Sequence, residues 1–210
     1  MHLEICVEDA SGKLFLDGIL PRIIRRDVTW KVHGYAGIGH IPKGLRSTDN
    51  AAQRIFLDNL PKLIRGCANT PYVTALFIVV DTDSRNCGDF LRDLKGVQQA
   101  IAPESNVIFR LAVEEMEAWI LGDPDALRAA FAKVNEVALQ SYVQDAVCGT
   151  WEVLADVVYP GGSSALIAEG WPAPGRAKCG WAEAVTPHMS FTNNASPSFQ
   201  KLLQALQPFA

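Results

Sequence analysis

Two aspartates one residue apart, Asp81 and Asp83, close an apolar run in the stretch TALFIVVDTDSRN. Alternate residues of an extended chain point the same way, so carboxylates at i and i+2 can aim at one point. Mg²⁺ takes oxygen ligands and is commonly held by one or two carboxylates with several waters. Aspartate is also an ordinary turn residue. The pair therefore reads either as the end of a strand or as one corner of a metal site. Glu8 ends an earlier apolar run, LEICV, and from a neighbouring strand end it can complete such a site or move a proton. Otherwise it is an acid at a helix start, where the helix dipole favours it. A third acidic group, Glu114, Glu115 and Glu117, follows the run NVIFRLAV. If VEEMEAWIL is helical, Glu117 projects inside an apolar stripe of Val113, Met116, Ile120 and Leu121, with Glu114 on the same side at i, i+3 spacing. A carboxylate there is costly unless paired or bound to metal. Glu117 thus holds an ion or pairs with a buried arginine such as Arg110, while Glu115 points toward solvent.

The elements that must position these acids alternate. Strand patterns at 3–7, 28–35, 72–80 and 106–113 are separated by helix patterns. The first helix can be capped by Ser11 and carries Leu14, Phe15, Ile19, Leu20, Ile23 and Ile24 at helical spacing. Further helix patterns run from about Asp49 to Arg65, with Pro61 as an interruption, and from about Gly88 to Ile101. Asp123 and Pro124 form a cap and first helical position. From about Cys148 the strand signal fades into Pro, Gly and Trp, and a last helix runs from Pro197 to Leu206 behind Ser196. This rhythm predicts an α/β fold: a mostly parallel sheet of about four strands with helices on both faces. Residues 1–147 form that domain, and 148–210 a mainly helical or irregular C-terminal extension packed on it. Ligands of such sheets bind at the carboxyl ends of the strands, where strand order reverses. All three acidic groups fall at ends of that kind.

Composition bounds the function. In 210 residues, 49% are hydrophobic and 20% charged, the balance of a globular chain with a proper core. A net charge of −4 does not advertise a nucleic-acid surface. Locally, however, Arg22, Arg25, Arg26, Lys31, Lys43 and Arg46 face a single acid, Asp27, and as a group can line a phosphate groove or form a solvated face. The five cysteines are scattered and never spaced as CxxC, which argues for reduced thiols in a cytoplasm and against a zinc site. No apolar run reaches the ~18–20 residues of a membrane span, and MHLEICVED reads as a strand rather than a signal peptide. GYAGIGH is not GxGxxG, and SGK lacks P-loop spacing. Neither the histidines nor Cys87 show the partners a Ser or Cys hydrolase needs.

Four blocks carry a family resemblance: VED with its following helix, VVDTDSRNCGDFLRDLK, RLAVEEMEAWILGD, and GTWEVL with KCGWAEAVTPHMSFTNNASPSFQKLLQAL. With them nearly the whole chain resembles a bacterial family, domain of unknown function 4276, which is considered Toprim-like. The Toprim fold occurs in topoisomerases, primases and nucleases of the overcoming-lysogenisation-defect type. By that resemblance Glu8 matches a general acid or base, and Asp81 and Asp83 match Mg²⁺-binding aspartates. Glu114 and Glu117 match acids of the family's own EExEAW block, where a second ion would suit a nuclease. Toprim proteins usually carry Gly after the glutamate, and here Asp9 stands there. The expected Gly-Lys pair is missing from GYAGIGHIPKG, so Lys43, with Arg46, is left as the basic substrate contact. Lys178, His188 and Asn193 fall in the last block with no chemistry assigned. The resemblance implies a Mg²⁺- or Mn²⁺-dependent nuclease acting on DNA or RNA, working in defence against mobile DNA with an ATPase. The alternatives are a non-catalytic Toprim-like partner of an ATPase, suggested by Trp151, Trp171 and Trp181, or a nucleotide-binding or phosphotransfer protein.

Overall fold

A computed structural model describes residues 1–46, 55–146 and 149–210. The apolar runs become β1 (His2–Val7), β2 (Thr29–Gly34), β3 (Ala75–Asp81) and β4 (Val107–Ala112). All pair in parallel, in the order β2-β1-β3-β4. The chain moves from β1 to β2 on one side and then sets β3 on the other side of β1, so strand order reverses between β1 and β3. β3 starts later than its apolar run suggests, because Thr70 to Val73 closes a turn, with Val73 N–H donating to the Thr70 carbonyl at 3.1 Å.

Helices cover both faces. In chain order they are α1 (Ala10–Ile19), α2 (Leu60–Ala68), α3 (Cys87–Ile101), α4 (Glu117–Leu121), α5 (Pro124–Ala130), α6 (Glu136–Ser141), α7 (Thr150–Val158), α8 (Gly162–Ala168), α9 (Ala173–Val185) and α10 (Pro197–Leu206). One face of β1 and β3, through Leu3, Ile5, Val7, Phe77 and Val79, packs on α1 and the C-terminal helices. Its centre is aromatic: Phe15, Trp119 and Phe199 lie 5.6–6.0 Å apart in tilted and edge-on pairs. Trp119 Nε1 donates to Ser198 Oγ at 2.7 Å, which satisfies the indole in the core. The other face, with Leu76, Ile78 and Val80, packs on α2 and α3 through Leu60, Ile64, Phe90 and Leu94. β3 is buried from Ala75 to Val80, as a central parallel strand covered on both sides must be. The architecture is the α/β class expected, consistent with a Rossmann- or Toprim-like fold.

Local chemistry settles the helix starts. Asp123 caps α5, accepting from Ala126 N–H at 3.1 Å, and Ser196 caps α10, accepting from Phe199 N–H at 3.3 Å, as their sequence positions predict. The first helix differs. Asp9, not Ser11, is its N-cap, accepting from Gly12 N–H at 2.7 Å, and Ser11 lies inside the helix and donates to the same carboxylate. Of the helix expected over 49–65, residues 47–54 lie outside the described residues. The part described as α2 carries Pro61 in its first turn, where the missing N–H costs nothing.

Candidate functional site

The reversal of strand order places the ends of β1 and β3 side by side, and each end delivers acids. Glu8 follows β1 directly, and Asp81 is the last residue of β3. The turn beyond Asp81 is braced by the chain leaving β4. Thr82 N–H donates to the Ala112 carbonyl at 3.0 Å, Asp83 N–H to the Glu114 carbonyl at 2.8 Å, and Glu114 N–H to Thr82 Oγ1 at 2.7 Å. Within this brace Asp83 (φ 47°) and Glu114 (φ 63°) both adopt left-handed backbone. That conformation is uncommon for residues with a Cβ and is retained where the surroundings over-determine it, often at functional sites. The same brace delays α4, which begins only at Glu117. Glu114 and Glu117 therefore do not share a helical face, contrary to the spacing argument.

Glu117 is 3% exposed, inside the apolar layer as its stripe predicts. Its partner is Lys178 of α9, with Nζ 3.3 Å from Glu117 Oε1. Arg110 plays no part: its guanidinium donates to the carbonyls of Lys201 and Phe109. Lys178 is the residue that sequence reasoning left without a role. Burial alone would push its ammonium down, but the charges of Glu117, Glu115, Asp81 and Asp9 hold it well above the ordinary lysine value. Asp81 is pushed well up by burial and by the charges of Glu8 and Glu117. Burial, then Asp83 and Asp9, raise Glu8 to about 7 against the opposing pull of Lys178 and Arg85. Burial likewise raises Glu117 to about 7, with Lys178 opposing. Glu8, Asp9, Asp81, Asp83 and Glu117 thus act on one another, with Lys178 and Arg85 as the cations among them. Arg85 Nη1 donates to Asp83 Oδ2 at 2.7 Å.

Other expected residues fall elsewhere. Glu114 is 6% exposed, and its carboxyl is raised to about 7 by burial and the charges of Asp145 and Glu115, outside the Glu8 and Asp81 group. Glu115 is half-buried rather than free in solvent. Its Oε2 accepts from Thr150 Oγ1 and Trp151 N–H at 3.1 and 2.9 Å and anchors the start of α7. Lys43 and Arg46 are exposed on the loop after β2. Arg22 and Arg25 are structural: Arg22 donates to the carbonyls of Thr186 and Met189 over the Phe191 ring, and Arg25 binds Asp27 and the Pro208 carbonyl. Among the described residues no three His, Cys, Asp or Glu side chains are gathered so as to hold a metal ion as they stand. Two buried oxygens of the group, Glu8 Oε2 and Glu117 Oε2, nevertheless have no hydrogen-bond partner. All donors there are hard carboxylate oxygens, the kind Mg²⁺ accepts, and Mg²⁺ needs only one or two of them beside its waters. The group therefore fits an ion held by few protein ligands rather than a closed cage.

Among the described residues no helix is long and apolar enough to cross a membrane. The family described as "Domain of unknown function (DUF4276)" matches residues 7–207. No curated protein and no solved structure matches the chain.

Proposed function

We propose that this chain, which belongs to the DUF4276 family, is a Mg²⁺- or Mn²⁺-dependent enzyme that cleaves phosphodiester bonds of nucleic acid. The observation that carries the reading is the meeting of Glu8, Asp81 and the buried Glu117 with a half-buried Lys178 where strand order reverses. In this reading Glu8 and Asp81 hold the ion, with Asp83 at the rim. A bound divalent ion polarises phosphoryl oxygens and lowers the pKa of its water. Without the ion, burial raises Glu8 to about 7, so binding the ion near neutral pH displaces a proton from it. Lys178, held by Glu117, offers an ammonium in a site of low dielectric, where a fixed cation stabilises developing negative charge far better than in water. Arg85 adds a second cation at the rim and lies over the Phe90 ring at 5.2 Å.

Calorimetry with Mg²⁺ and Mn²⁺, beside cleavage assays on single- and double-stranded DNA and RNA, tests this. Asp81→Ala should lose the metal heat. Lys178→Met should keep it and lose cleavage by roughly 10²–10³-fold, the usual cost of removing one group that stabilises the transition state. Absence of metal heat from the wild type at millimolar concentrations, or cleavage indifferent to both variants, overturns the reading.

A non-catalytic role beside an ATPase draws on one observation. Trp181 is buried and Trp151 half-buried, but Trp171 is 85% exposed, as is Ile167 four residues before it in sequence at 54%. That reading expects Trp171→Ser to remove the chain's cellular role and Asp81→Ala to leave it intact.

A further inference from the structure

The sheet face covered by α2 and α3 holds a cavity of about 450 Å³ beside the edge strand β2, sharing no residue with the acidic group at the strand ends. Its floor is polar where a sheet face should be apolar. Glu4, in the middle of β1, accepts from or is bonded to two imidazoles: His33 Nε2 at its Oε2, and His2 Nε2 at its Oε1 at 3.3 Å. A carboxylate has about four acceptor positions, and these contacts use two of them. Cys6 and Leu76 extend the floor, and α2 forms the wall with Lys62, Leu63 and Gly66. Tyr72 stands in the lining with 69% of its surface exposed.

Gly66 leaves the α2 wall without a side chain. Glycine inside a helix costs about 1 kcal/mol relative to alanine, and here neither backbone nor packing calls for it. Its φ lies outside the left-handed region, and an added Cβ would meet nothing within 4 Å. The cavity also falls within the ~300–1,000 Å³ of small-ligand pockets, which are mostly apolar with a few placed polar groups. Its lining supplies an acceptor in Glu4, apolar and aromatic surface in Leu63, Leu76 and Tyr72, and the exposed Lys62. A molecule complementary to those groups has an N–H donor, a flat ring and an anion.

We propose that this cavity binds a nucleoside monophosphate whose base carries an exocyclic amine. The amine meets Glu4, the ring lies among Leu63, Leu76 and Tyr72, and the phosphate pairs with Lys62. Calorimetry on the full chain with AMP, purine riboside 5′-monophosphate and adenosine tests it. AMP should bind saturably at one site. Purine riboside 5′-monophosphate, which lacks only the amine, should bind roughly tenfold more weakly, the size of one charge-assisted hydrogen bond, and adenosine, without phosphate, a few-fold more weakly, the size of an exposed ion pair. Gly66→Leu fills the cavity with a better helix former, so it should lose AMP binding with an unchanged or raised Tm. Lys62→Ala should remove only the preference for AMP over adenosine. The proposal fails if AMP does not bind saturably, if Gly66→Leu binds it as the wild type does, or if Asp81→Ala abolishes binding, which would place AMP at the strand ends instead.

Discussion

At 3% exposure a carboxylate without a nearby cation would hold its proton, and Lys178 is the charge that opposes this for Glu117. Breaking a buried pair from one side leaves an uncompensated charge and costs about 3–5 kcal/mol. Lys178→Met should therefore destabilise the chain by about 3 kcal/mol at pH 8 in urea unfolding. The loss should be smaller at pH 6, where Glu117 can take a proton in place of its lost partner. Adding Glu117→Gln to Lys178→Met should recover part of the loss, and strictly additive losses would show that the two side chains do not act as a pair. The burial of Glu117 and its need for a partner were legible from sequence, but the partner was not. Glu117 stood out because an acid interrupted an apolar stripe, but its partner lay on a distant helix, and a nearer cation, Arg110, was the more natural guess. Asp9 shows the opposite limit. Asp9 and Ser11 are both good caps two residues apart, and only the backbone at Asp9 decides between them.

Elements set how closely Glu8 and Lys178 approach, because Glu8 precedes α1 and Lys178 rides on α9, and these two helices pack together. Their contact depends on Gly18. A Cβ there would lie 2.2 Å from Thr186 Oγ1 and 2.7 Å from Thr186 Cβ, at the buried C-cap of α9. Gly18→Ala should force the helices apart and cost about 1–3 kcal/mol, the usual price of overpacking. Thr186→Ala in the same chain should recover part of it. If Gly18→Ala melts as the wild type does, the α1–α9 approach is not as tight as described. Asp123 fastens the segment that follows α9. Its Oδ1 caps α5 and its Oδ2 accepts from Ser190 N–H at 2.6 Å, so Asp123→Ala orphans two donors and should cost about 2–3 kcal/mol by chemical denaturation. Strands and the caps of α5 and α10 were readable because they depend on runs and neighbours. The break of VEEMEAWIL before Glu117 was not, since it arises from hydrogen bonds to the turn after β3 rather than from any local propensity.

Across the whole molecule, the parallel order β2-β1-β3-β4 gathers acids at one edge, and that gathering opposes folding whenever the acids are charged. Glu8 and Glu117 titrate near 7 in the folded chain and near the ordinary 4.5 once unfolded. Between those values the folded state keeps protons that the unfolded state has released. In a chelator, their contribution to stability is therefore full below about pH 4.5, falls as pH rises through about 7, and then levels off. A divalent ion requires deprotonated ligands, so its stabilisation runs the other way, small in acid and greatest above neutrality. Thermal melts at a series of pH values, in EDTA and in excess Mg²⁺, should show the two Tm curves together in acid and separating through neutrality. Glu8→Gln should flatten the fall in EDTA and remove most of the separation. A Tm gap that stays constant or narrows with rising pH would mean that the ion is held by something other than these carboxylates.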